Sequence, residues 1–209
     1  INIMTKASVE SVDTSGSGCK VTVKGNKGEV SIDCDIVLSA VGVVANIEDI
    51  GLEEVGINID KGKIIVDDYY KTNIDGYYAI GDVLSTQALA HVASAEGIAA
   101  VEHICGLDTE GMSYSNIPAC TYCEPEIASV GLTENKAIEK GYKIKVGKFP
   151  FRALGKSLAD GSHEGFVKII YDDKYGELLG CHIIGNNASN LISEVVIART
   201  LETTYYEIL

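Results

Sequence analysis

Four groups of residues in this 209-residue chain have types and spacings that could do chemistry. The first is Gly81-Asp82, a short carboxylate behind a glycine at the end of the apolar run Tyr77-Tyr78-Ala79-Ile80. The second is Ala88-Leu89-Ala90-His91, the head of a long stretch of small and apolar residues. The third is Cys120-Thr121-Tyr122-Cys123, a literal Cys-x-x-Cys, and the fourth is Gly42, which closes the apolar run Ile36-Val37-Leu38-Ser39-Ala40-Val41.

Asp82 has two readings. Thr72-Asn73-Ile74-Asp75-Gly76 is turn chemistry, with Asn and Asp able to bond their own backbone and Gly able to take positive φ. The run 77–82 then reads as a strand, and Ala88 to Cys105 as a helix closed by Gly106. Ligands sit at such strand ends in an open α/β sheet, where free helix N–H groups converge. Asp82 therefore either accepts a hydrogen bond from a sugar-like hydroxyl or simply caps the helix.

The other groups also divide. A redox Cys-x-x-Cys follows a strand and opens a helix, which lowers a thiol pKa, and zinc wants a second pair. Cys120 and Cys123 instead lie between Pro118 and Glu124-Pro125 at a strand entrance, with no second pair, so they read as small apolar side chains and no metal site is expected. His91 is either a side-chain acid–base or a packing residue that offers its backbone. His103, His163 and His182 lack Cys or acidic neighbours at ligand spacing and read as structural.

Those residues need elements to position them. Ala7 to Val12, Cys19 to Lys24 and Glu29 to Ile32 alternate and read as an antiparallel meander. Asp35 to Val44 reads as a parallel strand covered on both faces, the last strand of a doubly wound domain. A short helix over 47–55 and strands over 56–59 and 62–67 lead to the central stretch. After a polar boundary, 126–132, 142–149, 165–171 and 177–184 read as strands. Helices are expected over 133–140, capped by Thr133 and stopped by Gly141, and over 188–201. The expected class is α/β passing into an α+β layer with its helices on one face.

A net charge of −13 argues against a nucleic-acid partner, since phosphate-backbone binding needs clustered Lys and Arg. No apolar run approaches the roughly 18–20 residues that span a bilayer, so no membrane is expected and the reading is a cytoplasmic protein. Six cysteines, irregularly spaced apart from Cys120 and Cys123, suit mostly reduced, buried thiols rather than a disulfide scaffold. Ile1 opens inside a strand-like pattern and Thr204-Tyr205-Tyr206-Glu207 has capping-box spacing just before the last residue, so a chain cut at both ends is expected.

Several motifs in order resemble the flavin disulfide reductases, most closely their dihydrolipoamide dehydrogenase branch. They are Gly62-Lys63-Ile64-Ile65-Val66-Asp67, Thr72-Asn73, Tyr78 to Val83, Leu89 to Gly97, Pro125 to Glu134, Gly165 to Ile170 and Leu179 to Gly185. The resemblance implies three parts: 1–42 as the C-terminal tail of an NAD-binding domain, 43–111 as a central FAD-contacting domain, and 112–209 as an interface domain truncated at its C-terminus. It implies FAD and NAD as cofactors, a homodimer, and as partner the lipoyl-bearing protein of a 2-oxo acid dehydrogenase or glycine cleavage complex.

By the same resemblance Asp82, behind Gly81, hydrogen-bonds the FAD ribityl chain. Ala88, Leu89, Ala90 and His91 start a helix under the flavin, whose positive end favours anionic charge, and Gly42 marks an approach to NAD. The chain departs from the family where Gly42-Val43-Val44-Ala45-Asn46 replaces Gly-Arg-x-Pro-Asn, which removes a basic residue. It holds no Gly-x-Gly-x-x-Gly turn, no redox Cys pair of the family's spacing and no C-terminal His-Pro. No catalytic residue is therefore expected within it, and the chain alone is expected to be inactive. Mercuric or glutathione reductase, a dimerisation-only module and a small Cys-x-x-Cys redox protein are the rival readings.

Overall fold

The computed structural model describes residues 1–208 and divides into two compact units, Ile1–Val44 and Ala45–Leu209. In the first, β1 (Ser8–Asp13), β2 (Cys19–Gly25) and β3 (Gly28–Cys34) form an antiparallel sheet in the order β1-β2-β3. Alternation along β2 buries Val21 and Val23. Gly28, at φ 109°, takes the turn conformation that side chains rarely adopt.

The expected parallel strand from Asp35 to Val44 does not form. Among the described residues no strand pairs with it, and Ile36, Leu38, Val41, Val43 and Val44 are all exposed. A strand covered on both faces depends on neighbouring strands and flanking helices, and β1 to β3 provide neither.

The second unit opens with α1 (Leu52–Val55), a single turn where a helix over 47–55 was expected. The next strands shorten to a two-residue ladder, β4 (Ile59–Asp60) with β5 (Lys63–Ile64). The expected strand over 77–82 is also absent. Tyr78 makes one isolated bridge to Lys71, and the chain then tightens into a 3₁₀ turn, Gly81–Val83. After a six-residue connection, α2 (Ala90–Ile104) begins two residues later than expected and ends, as expected, at a left-handed Gly106 whose N–H donates to the His103 carbonyl. Ile47, Ile57, Ile64, Tyr70, Leu84, Ala99 and Ala100 form the core beneath these segments.

The remainder is a five-stranded antiparallel sheet in the order β6-β7-β10-β9-β8. Its strands are β6 (Ala119–Thr121), β7 (Ile127–Gly131), β8 (Ile144–Pro150), β9 (Phe166–Asp172) and β10 (Leu178–Ile184). Between β7 and β8 lies α3 (Glu134–Glu139), capped by the Thr133 hydroxyl, which accepts from the Lys136 N–H. A short α4 (Gly155–Ala159), not anticipated from the sequence, follows β8, and α5 (Ala188–Thr200) follows β10.

The helices do not share one face of the sheet. Ala128, Val130, Cys181 and Ile183 pack with Ala188 and Ile192 of α5. Ile170 stands next to Ile169 on β9 and so points to the other face, where it packs with Leu179 and with Ala137 of α3. Only half of the Thr204–Glu207 capping box forms: the Glu207 carboxylate accepts from the Thr204 N–H, the Thr204 hydroxyl accepts from the Tyr206 N–H rather than that of Glu207, and no helix follows among the described residues. Leu209 lies outside the described residues.

Candidate functional site

The site is assembled on α2. Val92, Glu96, Ala99 and Ala100 are its buried residues, at i, i+4, i+7 and i+8, so a carboxylate stands in the middle of the apolar stripe. Glu96 is 0% exposed. Its Oε2 accepts from the Gly81 N–H at 2.6 Å and its Oε1 from the Tyr114 hydroxyl at 2.7 Å, which itself lies 3.2 Å from the Tyr70 hydroxyl. Burial, then the hydrogen bonds to Tyr70 and Glu96, hold the Tyr114 hydroxyl protonated well above the usual phenol range.

This network fixes the 3₁₀ turn to the helix. Gly81 has φ 74°, and a Cβ there would stand 3.1 Å from the Ala93 methyl. From the other side, a Cβ at Gly97 would stand 3.1 Å from Ile80. Two glycines thus let the turn lie directly on the helix. Lys63, from β5, donates to the Asp82 carbonyl at 2.6 Å and holds the turn from a third direction.

The approach to the turn is braced both across the fold and by its own backbone, the Thr72 hydroxyl accepting from the Ile74 N–H. The Asn73 side chain accepts from the Asn58 N–H and donates to the Gly56 carbonyl, and Asp75 pairs with Lys71. The Thr72 hydroxyl, buried, bridges the carbonyls of Ile74 and Tyr77.

With its main chain held, Asp82 presents an exposed carboxylate that has no hydrogen-bond or ion-pair partner among the described residues. It does not cap α2: the N-cap position is Leu89, and no side chain accepts from the first-turn N–H groups. Ala88 and Ala90 are exposed beside that open helix end, Leu89 is half-buried, and His91 is exposed rather than packed. Gly81, Asp82 and Ala88 to His91 are therefore brought into one segment of the second unit. Gly42 belongs to the first unit, exposed, with φ 102°.

The Cys-x-x-Cys lies at a strand and the loop after it, not at the head of a helix that would lower a thiol pKa. Cys120 lies in β6, and burial, with the nearby Glu126 charge, pushes its thiol up. Cys123 is exposed and donates to the Pro125 carbonyl at 3.1 Å. No group of three potential ligands that could hold a metal occurs among the described residues. His103 stacks on Tyr69 and His182 bonds the Leu132 carbonyl.

Comparison with known proteins gives the family. Residues 1–97 match the pyridine nucleotide-disulphide oxidoreductase family, and residues 117–209 match the dimerisation domain of that family. The chain belongs to this family. Over its whole length it is 44% identical to a dihydrolipoyl dehydrogenase of Zymomonas mobilis and 46% identical to one of Rhizobium etli, covering 45% and 44% of them. It thus spans under half the length of these relatives. Among solved structures, LpdA from Mycobacterium tuberculosis superposes with a TM-score of 0.86 at 29% identity, over 95% of this chain and 43% of that one. The flavoprotein disulfide reductase RclA from Escherichia coli, at 22% identity and a TM-score of 0.82, shares the fold. Members of this oxidoreductase family are flavoproteins. No described helix is long and apolar enough to cross a membrane.

Sequence reasoning missed Glu96 as the residue that holds the turn. The signal was available: Val92, Glu96, Ala99 and Ala100 share one helical stripe, so a carboxylate had to be buried and find donors.

Proposed function

We propose that this chain is the flavin-contacting and dimerisation portion of an NAD-dependent dihydrolipoyl dehydrogenase. In this reading 1–42 belong to the NAD-binding domain, 43–111 to the central domain and 112–209 to the interface domain. The observation that carries the reading is the free Asp82 carboxylate, on a turn fixed to α2 by Glu96, together with the uncapped N-terminus of that helix. Those groups fit FAD: a carboxylate accepts from ribityl hydroxyls, and an open helix end favours the anionic edge of a flavin.

FAD, when bound, supplies the electron transfer between a dithiol and NAD. The chain's own residues bind and orient. Gly81 lets the backbone turn, Asp82 holds hydroxyls, and Ala88, Ala90 and His91 present N–H groups to the ring, whereas the Leu89 N–H donates to the Gln87 carbonyl at 2.8 Å and serves only to position them. Gly42 gives a side-chain-free approach for NAD, with Val43 and Val44 leaving the neighbouring site without a cation. The redox Cys pair and the acid–base His are supplied by parts of the protein outside these residues, so the 209-residue chain alone is inactive.

The whole protein works as a cytoplasmic homodimer, with exposed Leu191 and Ile197 of α5 available to a second copy. Its reductant is a lipoyl-bearing protein of a 2-oxo acid dehydrogenase or glycine cleavage complex. Steady-state NADH formation by the full-length protein with free dihydrolipoamide tests this. Turnover with dihydrolipoamide, and none of NADPH with glutathione disulfide or mercuric ion, is expected. The reverse preference assigns the chain to a glutathione or mercuric reductase instead.

A further inference from the structure

The strongest unused chemistry lies in the first unit. Cys19 opens β2 and Cys34 closes β3, and the two are direct cross-strand partners in the ladder that runs Cys19↔Cys34, Lys20↔Asp33, Val21↔Ile32. Directly opposed residues of an antiparallel pair have Cα atoms about 4.5–5.5 Å apart and project to the same face. That spacing falls inside the roughly 4.4–6.8 Å range that disulfides span. The Cys34 thiol lies 3.7 Å from the Cys19 carbonyl, which puts its sulfur against the main chain of its partner. Both residues are half-buried, hence open to a small thiol reagent, and both are free thiols here.

The remaining cysteines contrast with this pair. Cys181 is fully buried and its thiol is pushed up to about 11. Cys120 and Cys123 do not stand opposite each other across a ladder: Cys120 pairs with Ala128, and Cys123 lies beyond the strand. Only Cys19 and Cys34 are placed by strand register.

We propose that Cys19 and Cys34 are a thiol–disulfide couple that closes across β2 and β3 when the protein meets an oxidising disulfide. A thiolate of one attacks oxidised glutathione, forming a mixed disulfide and releasing one reduced glutathione. The second thiolate attacks the protein sulfur of that mixed disulfide, forms the Cys19–Cys34 bond and releases the second glutathione. Two protein thiols lose two electrons and two protons, and one glutathione disulfide becomes two thiols. The bond staples the sheet end from which Asp35 to Val44 leaves, and so anchors the root of the segment that carries Gly42.

The test is peptide mapping of the full-length native protein after incubation with oxidised glutathione, followed by alkylation and trypsin. Cleavage separates Cys19, in Ala7–Lys20, from Cys34, in Gly28–Lys61. The expected result is a linked peptide 2 Da lighter than the sum of its parts, abolished by dithiothreitol. Each single variant, Cys19→Ser and Cys34→Ser, should instead trap glutathione on the remaining cysteine. Recovery of Cys19 and Cys34 in wild type as separate glutathionylated or alkylated peptides overturns the proposal, as does linkage of either one to a different cysteine. The single variants keep the test independent of folding, because a folded variant must show the trapped glutathione while the native sheet reports the bond itself.

Discussion

The Glu96 carboxylate receives the Gly81 backbone N–H at 2.6 Å from inside the helix core. One buried side chain therefore sets the position of the turn that carries Asp82. An acceptor with no solvent contact has a strong preference for its donors, since leaving them unpaired costs about 1–3 kcal/mol per group.

Replacing Glu96 by Ala is expected to destabilise the chain by about 2–4 kcal/mol, because the Gly81 N–H and the Tyr114 hydroxyl both lose their acceptor. Glu96→Gln keeps the shape and one acceptor oxygen and should lose about 1–2 kcal/mol. Denaturant unfolding of each variant, with Tyr114→Phe in a double-mutant cycle, measures it. Coupling near zero between Glu96 and Tyr114 would show that they do not act together.

Gly81→Ala is expected to cost about 1–3 kcal/mol. The residue sits at φ 74°, and the added methyl meets Ala93 at 3.1 Å, so strain and crowding act in the same direction. A loss under half a kcal/mol in urea unfolding would mean that the turn is free to relax away from α2.

Acid weakens the second unit at Glu126. Its Oε2 accepts from the Ser189 hydroxyl at 2.7 Å and N–H at 2.9 Å, in the first turn of α5, and these bonds hold its pKa below the ordinary 4.5. A carboxyl depressed on folding contributes stability that is present in full above its unfolded pKa and is lost as pH falls through the folded value. Stability measured from pH 6 downward should fall below about pH 4.5, and Glu126→Gln should flatten that limb. An unchanged acid limb in the variant would remove Glu126 from this role.

Thiol reactivity should follow burial. Cys123 and Cys105, exposed, should react with an aromatic disulfide reagent in the native state. Cys181, with its thiol near 11 and no solvent contact, should react only on unfolding. Rapid native reaction of Cys120 and Cys123 as a concerted dithiol would restore the redox reading of that motif.

Local signals were legible in the sequence wherever the chain satisfies itself locally. Thr133 caps α3, Gly141 and Gly106 end their helices, and strands β7 to β10 fall within a few residues of expectation. Asp35 to Val44 was misread because its apolar run specifies burial but not by what, and the partners of a parallel strand lie elsewhere in sequence. Tyr77 to Asp82 was misread as a strand because apolar residues also suit a half-buried irregular segment held by other parts of the chain. The main chain there is held by Glu96 and Lys63, from 15 and 19 residues away. Asp82 and the head of α2 were legible as candidate groups, whereas Glu96 hid within an Ala-rich helix whose composition suggested only close packing.

Flavin content of the full-length protein carrying Asp82→Ala, read from visible absorbance per polypeptide after desalting, tests the central claim most directly. Wild type should keep one flavin per chain, and the variant should lose most of it while keeping native mass and unfolding midpoint. A variant that retains full flavin content would contradict the assignment of Gly81-Asp82 and the head of α2 as the flavin-contacting site.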